Sequence, residues 1–413
     1  MSKMRHWSAT TFLMCLAVLS AGGCGSSDAR SRDVPDADPK GIGPLPVWTA
    51  EIDLSIGQAE ETGHDFVAPV PLGADTRGLQ YVIDPRLQEI RQFDQSGEYL
   101  KTVVRSGGGP GEMRLPPQTF GMKHDSVWYT EAPTGRVHYV ALDGTGSRIE
   151  DTGWSPPSLG TLMVSIYPLP IHGEYRVTSL SITNPFNLLR PLYHVKHYHA
   201  RGDSMSLFLE YSGPGQSIHF DGGLTTTRYP GPPDQPVILF GDGLRYLRID
   251  RPDPAGNESA IANFELFSSA GNTLRRGSVA FPAVRLSSQA RDSIVEALLR
   301  TASLGGGRTV EASVRQSILQ FVDAIPDQRP AFDVAFYGAD GTVWLRPSSQ
   351  EDPQVQTWVV VDSTFTPIRE ARLPNNVVTL SYTNDETWWA TLRAEADVIY
   401  VARLRFAVEP DSR

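Results

Sequence analysis

The sequence predicts an all-β fold built from repeated antiparallel sheets, and two observations carry that prediction. Alternating apolar and polar residues recur in short runs separated by glycine-containing turns, which is typical of antiparallel strands. One such pair of runs, residues 78–97, aligns without a gap with residues 125–144, at a shift of 47 residues. A repeat of this length indicates one structural unit that is used several times along the chain.

The two copies match in residue character as well as in spacing. Tyr81 aligns with Trp128, and the turn residue Gly97 aligns with Gly144. The same pattern of two strands and a turn recurs with looser spacing in four further segments: residues 173–203, 243–271, 341–365 and 386–406. A unit of about this size with four short strands is typical of a β-propeller blade, because one sheet buries both of its faces only when neighbours stack on it. The predicted fold is therefore a six-bladed β-propeller.

Two segments stand outside the repeat. Residues 48–57 form a strand pattern with no partner nearby, and we expect them to pair with residues 397–406, closing the ring and covering an open strand edge. Residues 287–324 show apolar residues at helical spacing, among them Ile294, Leu298 and Ile318. This pattern predicts a helical hairpin inserted between two blades, with an apolar stripe that packs on the propeller or docks a partner.

The first unit resembles the NHL-type repeat of six-bladed propellers. Its matching parts are residues 78–84, residues 90–97 and the turn 107–113, in which Met113 stands where the repeat usually has phenylalanine. The chain as a whole resembles exported propeller lipoproteins of bacteria over residues 48–408, strongly in blades one, two, five and six and weakly over 155–235. For that group, function is mostly not assigned.

The N-terminal segment has the pattern of a secretory signal. Lys3 and Arg5 precede a short apolar run, and small residues lead into Cys24, which resembles the lipobox of bacterial lipoproteins, although Ala21 stands where leucine is commoner. The alternative is an ordinary cleaved signal with an incidental cysteine. We expect a signal peptide over 1–23, a flexible tether over 24–46 and the propeller over 47–408. The resemblance implies a lipid anchor at Cys24 and, with Gly25 following, an outer-membrane location facing the periplasm or the cell exterior.

Charge and cysteine content exclude several classes of function. The formal net charge is −10, which argues against a nucleic-acid partner because phosphate binding needs a basic face. Cys15 and Cys24 are the two cysteines, and both lie in the signal region. We therefore expect no disulfide, thiolate metal site or cysteine nucleophile in the folded domain.

Three acidic residues are the first candidates for a site. Asp84, Glu131 and Asp250 end the second strand-like run of their units. In propellers such positions border the central channel, and hydrolases of the gluconolactonase type hold calcium there with Glu, Asn and Asp. The simpler interpretation is that these carboxylates cap strands by accepting hydrogen bonds from turn amides.

The remaining motifs carry weaker signals. His197 and His199 share one face of a predicted strand, a geometry that a metal ion uses, but no local carboxylate completes the set. Residues 201–203 read Arg-Gly-Asp, and 257–259 match a glycosylation sequon. The Arg-Gly-Asp sequence fits an ordinary hairpin turn. The sequon carries little weight in a bacterial lipoprotein.

The glycine-rich stretch 105–117 invites comparison with a phosphate-binding loop. Such a loop opens a helix and ends in lysine followed by serine or threonine, and neither feature is present. We expect it instead to cross from the outer strand of blade one to the first strand of blade two.

Taken as a whole, the sequence favours a binding module over an enzyme. It contains no nucleophile elbow, zincin helix or phosphate loop, although propeller active sites are scattered along the chain. The leading hypothesis is a membrane-tethered propeller that binds a protein, peptide or glycan and has no cofactor. The alternatives are a hydrolase or lyase with a metal such as calcium in the central channel, and a structural component of the envelope.

Overall fold

A computed structural model of the chain describes residues 39–58, 65–109, 111–123, 125–131, 135–154, 161–169, 173–182, 192–202, 204–214, 225–226, 237–240, 244–252, 259–304, 312–323, 325, 327–338, 340–348, 354–383, 386–394 and 398–408. The predicted signal peptide, Cys24 and the first part of the predicted tether lie outside these residues.

Most of the described chain is β-strand. Strands β1 (Lys40–Gly41) and β2 (Val47–Ile56) come first and join sheets that later parts of the chain form. Sheet 1 consists of β3 (Val70–Ala74), β4 (Gln80–Asp84), β5 (Glu89–Phe93) and β6 (Tyr99–Val104). Sheet 2 consists of β7 (Pro117–Lys123), β8 (Ser126–Glu131), β9 (Arg136–Ala141) and β10 (Ser147–Asp151). Sheet 3 consists of β11 (Thr161–Pro168), β12 (Glu174–Ile182), β13 (Leu192–Arg201) and β14 (Ser204–Pro214).

Three further sheets have the same antiparallel order. Sheet 4 consists of β16 (Val237–Phe240), β17 (Tyr246–Asp250), β18 (Ser259–Phe267) and β19 (Thr273–Pro282), with β1 added parallel to β19. Sheet 5 consists of β20 (Phe332–Tyr337), β21 (Val343–Pro347), β22 (Val355–Val361) and β23 (Pro367–Pro374), with β15 (Thr225–Thr226) added to β20. Sheet 6 consists of β24 (Val377–Tyr382), β25 (Trp388–Arg393), β26 (Ile399–Val408) and β2. The six strand pairs that the sequence predicts are present as the second and third strands of these sheets.

Strand β2 pairs with the far end of the chain, as the sequence predicts. It runs antiparallel to β26, from Trp48 opposite Val408 to Ile56 opposite Val401. The first residues of β2 also pair in parallel with β23, so sheets 5 and 6 form one hydrogen-bonded sheet of nine strands. Asp53 contacts the Nε of Arg403 at 2.7 Å, which adds an ion pair to the backbone ladder.

The last residues of the predicted tether are packed on the folded body. Lys40 and Gly41 pair with β19, and the side chains of Ile42 and Leu45 pack against the apolar core between sheets 4 and 5. Within the tether predicted over 24–46, Lys40, Gly41, Ile42 and Leu45 therefore contact the folded body. Two paired residues are too short a run to give a periodic signal, which is why sequence alone assigned them to the tether.

Buried side chains fill the spaces between neighbouring sheets. Every residue of β4 is buried, so sheet 1 is covered on both faces. Five apolar clusters each join two sheets: 1 with 2, 2 with 3, 4 with 5, 5 with 6 and 6 with 1. Sheets 3 and 4 pack through aromatic rings and a cation–π contact. The guanidinium of Arg176 in sheet 3 lies 3.9 Å from the ring centre of Phe240 in sheet 4. The His197 ring lies 4.7 Å from the same phenylalanine ring.

The helical insertion is present between sheets 4 and 5. It contains α1 (Ser288–Leu304) and α2 (Ala312–Asp323). The hydroxyl of Ser287 accepts a hydrogen bond from the Ala290 amide at 3.2 Å, which caps the start of α1. Arg291 of α1 donates to the Val322 carbonyl at 2.7 Å, which satisfies a carbonyl at the end of α2 and ties the two helices together.

Candidate functional site

Strand direction places the candidate acids at one edge of the sheets. Each of these sheets is antiparallel, and its strands follow one another along the chain. The first strand therefore begins at the edge of the sheet where the second strand ends, and we call this edge the upper edge. Asp84, Glu131 and Asp250 are the last residues of β4, β8 and β17, the second strands of sheets 1, 2 and 4. They therefore occupy equivalent positions at the upper edge of three different sheets.

Asp84 is fully buried and bonded to backbone on both carboxylate oxygens. Its Oδ2 accepts hydrogen bonds from the amides of Val67 and Ala68 at 2.6 and 2.9 Å. Its Oδ1 accepts from the amides of Arg86 and Leu87 at 3.0 and 3.1 Å. The carboxylate thus fixes both the segment that leads into sheet 1 and the turn that follows β4. This is the capping role that the sequence allowed as the simpler interpretation.

Glu131 plays the same role in sheet 2. Its Oε1 accepts from the amides of Arg114 and Leu115 at 2.6 and 3.2 Å, which holds the segment that leads into β7. Its Oε2 lies 3.8 Å from the Nε2 of His138, whose ring is stacked on Tyr129 with the ring centres 4.9 Å apart. Burial lowers the pKa of His138, and the nearby carboxylate of Glu131 opposes that shift.

Asp250 differs from the other two acids. It is half-exposed, and its Oδ1 pairs with the Nε of Arg248 at 3.0 Å on the same strand. The structure therefore does not bring Asp84, Glu131 and Asp250 together around a shared ligand. Among the residues that the structure describes, no group of three or more His, Cys, Asp or Glu is arranged to hold a metal ion.

The two histidines occupy different environments although they share a strand face. His197 is buried, and its Nδ1 lies 2.9 Å from the Thr178 hydroxyl. His199 is more exposed, and its Nε2 lies 3.0 Å from Glu174. The neighbouring Arg201 contacts the other oxygen of Glu174 at 3.4 Å. Each histidine thus has its own polar partner, which matches the role of a strand residue better than that of a paired metal ligand.

The remaining motifs fall partly outside the described residues. Arg201 and Gly202 lie at the end of β13 and in the turn after it, with positive φ at Gly202, whereas Asp203 of the same motif is outside. Asn257 and Glu258 of the sequon are outside as well.

The glycine-rich stretch connects β6 to β7, as predicted, and makes much of its hydrogen bonding internally. The Gly107 amide donates to the Met113 carbonyl at 3.0 Å, and the Met113 amide donates to the Arg105 carbonyl at 2.8 Å. The Gly109 amide donates to the Glu112 carboxylate at 2.7 Å. Met113 is fully buried in the core between sheets 1 and 2, so the loop contributes one apolar side chain to the packing between the two sheets.

A buried arginine beside Asp250 is the functional candidate that sequence reasoning missed. Arg251 is 1% exposed, and its Nη1 donates a long hydrogen bond of 3.4 Å to the Phe332 carbonyl, the first residue of β20. Its guanidinium carbon lies 5.3 Å from the Phe332 ring centre. Burial lowers the pKa of Arg251 to about 10, against the opposing attraction of Asp333, so the side chain is charged at neutral pH.

The segment that enters β20 carries a second buried polar group. Ser348, directly after β21, is buried, and its amide donates to the Ala331 carbonyl at 3.4 Å. The carbonyl of Ser348 accepts a hydrogen bond of 3.3 Å from Arg329. In the part of the chain that the structure describes, the Nε and Nη2 atoms of Arg251 and the hydroxyl of Ser348 make no hydrogen bond. The only sequence signal was an arginine after the strand-ending acid, and nothing in a single sequence distinguishes it from an exposed one.

Comparison with known proteins gives similarity in structure alone. No protein-family model matches the chain, and no curated protein matches its sequence. The calcium-binding protein regucalcin from Agrobacterium tumefaciens is 9% identical, with 90% of this chain and 100% of that chain covered and a TM-score of 0.39. A gluconolactonase from Xanthomonas campestris is 9% identical, with 88% and 98% covered and a TM-score of 0.38. A member of the DUF4221 family from Bacteroides vulgatus is 11% identical, with 87% and 99% covered and a TM-score of 0.41.

Neither α1 nor α2, the helices in the described part of the chain, is long and apolar enough to cross a membrane.

Proposed function

We propose that the protein is a membrane-tethered six-bladed β-propeller that binds a protein, peptide or glycan. The observation that carries the architecture is the order of the buried contacts between sheets. Each sheet packs on the next one along the chain, and the apolar cluster formed by Ile56, Val82, Phe93, Trp389 and Val401 returns from sheet 6 to sheet 1. Contacts that return from the sixth sheet to the first support a closed ring of six sheets, the arrangement of a six-bladed propeller.

Strand β2 supports the closure of that ring. It supplies the fourth strand of sheet 6 from the opposite end of the chain, and the hydrogen bond between Arg403 and Asp53 spans 350 residues. Without it, one edge of β26 has no strand partner, and an open strand edge favours aggregation. The first strands of successive sheets also contact one another in sequence, β7 with β3 on one side and with β11 on the other, as expected for inner strands around a central channel.

A binding role fits the upper edge better than metal-dependent catalysis does. Both carboxylate oxygens of Asp84 and the Oε1 of Glu131 already accept backbone amides, which competes with their use as calcium ligands. Fold alone does not establish function, because propellers host many unrelated activities. The proposal therefore rests on how the polar groups at this edge are used.

The location is part of the same proposal. We place the folded domain in the cell envelope, held by a lipid on Cys24 and facing the periplasm or the exterior from the outer membrane. The support is the small-residue run before Cys24 and the polar stretch after it. Cys24→Ala should release the protein from the membrane fraction, with Cys15→Ala as the control that remains bound. A Cys24→Ala variant that still sediments with membranes would contradict the anchor.

The binding role can be tested directly on the purified full chain. We expect saturable binding to members of arrayed peptides or glycans, unchanged when EDTA is added, and no lactone hydrolysis or lyase turnover. A stoichiometric calcium or zinc ion, whose removal abolishes a measurable turnover, would overturn the binding proposal in favour of the metal-dependent enzyme.

A further inference from the structure

The junction between sheets 4 and 5 contains a fully buried positive charge, the guanidinium of Arg251. Three arginines contact the first residues of β20 or Ser348, which follows β21, and one of the contacted groups is a carboxylate. Arg346 holds both oxygens of that carboxylate, on Asp333, at 2.8 and 2.9 Å. Arg329 is bonded to the Ser348 carbonyl. Among the described residues, Arg251 makes no hydrogen bond to a carboxylate, although the charge of Asp333 attracts it from nearby.

The atoms of Arg251 that make no hydrogen bond in the described chain lie on one side of its guanidinium group. Its bonded atom is Nη1, and the unbonded atoms Nε and Nη2 form the side of the guanidinium that presents two parallel N–H donors. That pair of donors matches the two oxygens of a carboxylate, phosphate or sulfate group. A buried guanidinium without a partner is costly, since desolvation of a charge needs hydrogen bonds or an opposite charge in compensation.

Ser348 adds a neutral donor at the same place. Its backbone amide binds the Ala331 carbonyl and Arg251 binds the Phe332 carbonyl, so both residues contact the short segment that enters β20. The Ser348 hydroxyl is buried and makes no hydrogen bond within the described chain. A buried charged donor and a buried neutral donor beside one short segment are the kinds of group that bind an oxyanion.

We propose that Arg251 and Ser348 form a binding site for an oxyanion group at the junction of sheets 4 and 5. The ligand would present a carboxylate, phosphate or sulfate to the Nε and Nη2 of Arg251 and accept a third hydrogen bond from the Ser348 hydroxyl. This inference rests on the proposed binding function and narrows its ligand to one that bears such a group. The site lies at the upper edge, where Arg251 directly follows Asp250, the residue of sheet 4 that corresponds to the capping acids of sheets 1 and 2.

The experiment measures anion binding to the purified full chain by thermal unfolding and titration calorimetry. Sodium acetate, phosphate and sulfate are each added at constant ionic strength, with chloride as the reference. We expect at least one of them to raise the unfolding temperature saturably, because a ligand that binds the folded state stabilises it by mass action. Acetate as the preferred anion indicates a carboxylate ligand, and phosphate or sulfate indicates a phosphorylated or sulfated one.

Three variants connect that response to the named side chains. Arg251→Met should weaken the apparent affinity about 10- to 100-fold, the effect of losing a charge-assisted pair of hydrogen bonds. Ser348→Ala keeps the charge and should weaken the affinity roughly 5-fold, which provides a milder variant if the first does not fold. Arg248→Met is the control, because Arg248 lies on the same strand with its side chain 45% exposed, and its affinity should equal that of the wild type.

Two outcomes would overturn the inference: no saturable effect of any of the three oxyanions on the wild type, or unchanged affinity in both Arg251→Met and Ser348→Ala. Binding to arrayed peptides or glycans that persists in Arg251→Met would leave the proposed function standing while removing this site. Absence of array binding altogether would instead contradict the proposed function.

Discussion

Gly277 and Phe365 provide the sharpest test of the packing between sheets 4 and 5. Phe365 lies in the turn between β22 and β23 with a positive φ of 58°, a conformation that costs a residue with a side chain about 1–2 kcal/mol. Its ring is buried and stacked on Phe264, with the ring centres 4.9 Å apart. Gly277 lies on β19 directly opposite Phe264 and leaves the space into which Phe365 inserts.

The effect of filling that space follows from the distances. A Cβ added at Gly277 would lie 2.8 Å from both the Cβ and the Cδ2 of Phe365, whereas carbon atoms in contact prefer about 3.5–4.0 Å. The phenylalanine is held by its turn and by its ring stack, so the strain is shared by two sheets. We expect Gly277→Ala to lower the free energy of unfolding by about 1–3 kcal/mol, as overpacked cores do.

The assay is equilibrium unfolding in urea or guanidinium chloride. Gly108→Ala is the matched control, because nothing lies within 4 Å of a Cβ at that position, and we expect no loss of stability there. In a Phe365→Gly background the clash is gone, so Gly277→Ala should cost little, which gives a coupling energy of at least about 1 kcal/mol. Equal effects of Gly277→Ala in both backgrounds would refute the packing described between the two sheets.

Two further predictions concern the upper edge. Asp84→Asn should lower the free energy of unfolding by about 2–3 kcal/mol, because an amide nitrogen would face backbone N–H donors, and added calcium should not restore that loss. The control Asp250→Asn should change the free energy of unfolding by less than about 0.5 kcal/mol. Similar losses in both variants would contradict the capping role. Burial in the folded state lowers the pKa of His138 below its ordinary 6.5. The contribution of this group to the free energy of unfolding is therefore fully present above pH 6.5 and is lost as the pH falls through the folded pKa. Urea unfolding between pH 7.5 and 5 should therefore show a flatter profile in His138→Phe, which keeps the ring stack, and an unchanged slope would count against the shift.

Much of the fold could be predicted from one sequence because its signals are local. The alternation in residues 78–97 and 125–144 reflects strands whose side chains point to opposite faces, and the turn glycine Gly97 has the positive φ that its position implies. The pairing of β2 with β26 was also predictable, because a strand pattern without a nearby partner has to find one elsewhere. The capping by Asp84 and Glu131 followed from their position at strand ends.

The rest depends on contacts between sheets, which one sequence does not encode locally. Asp250 aligns with the two capping acids, yet it faces an arginine of its own strand. Arg251 is buried because sheet 5 covers it, and that requires knowing which sheet lies next to it. His197 and His199 share a face, but the aromatic rings at the junction of sheets 3 and 4 bury only the first.

The central claim is that the N-terminal strand β2 closes the ring between sheets 6 and 1. Two isoleucines on that one strand test it most directly, because Ile56 is fully buried between the two sheets and Ile52 is 43% exposed. Equilibrium unfolding should show a loss of about 2–5 kcal/mol for Ile56→Ala, as for large-to-small changes in a core, and less than about 1 kcal/mol for Ile52→Ala. Small and equal losses in both variants would contradict closure by this strand.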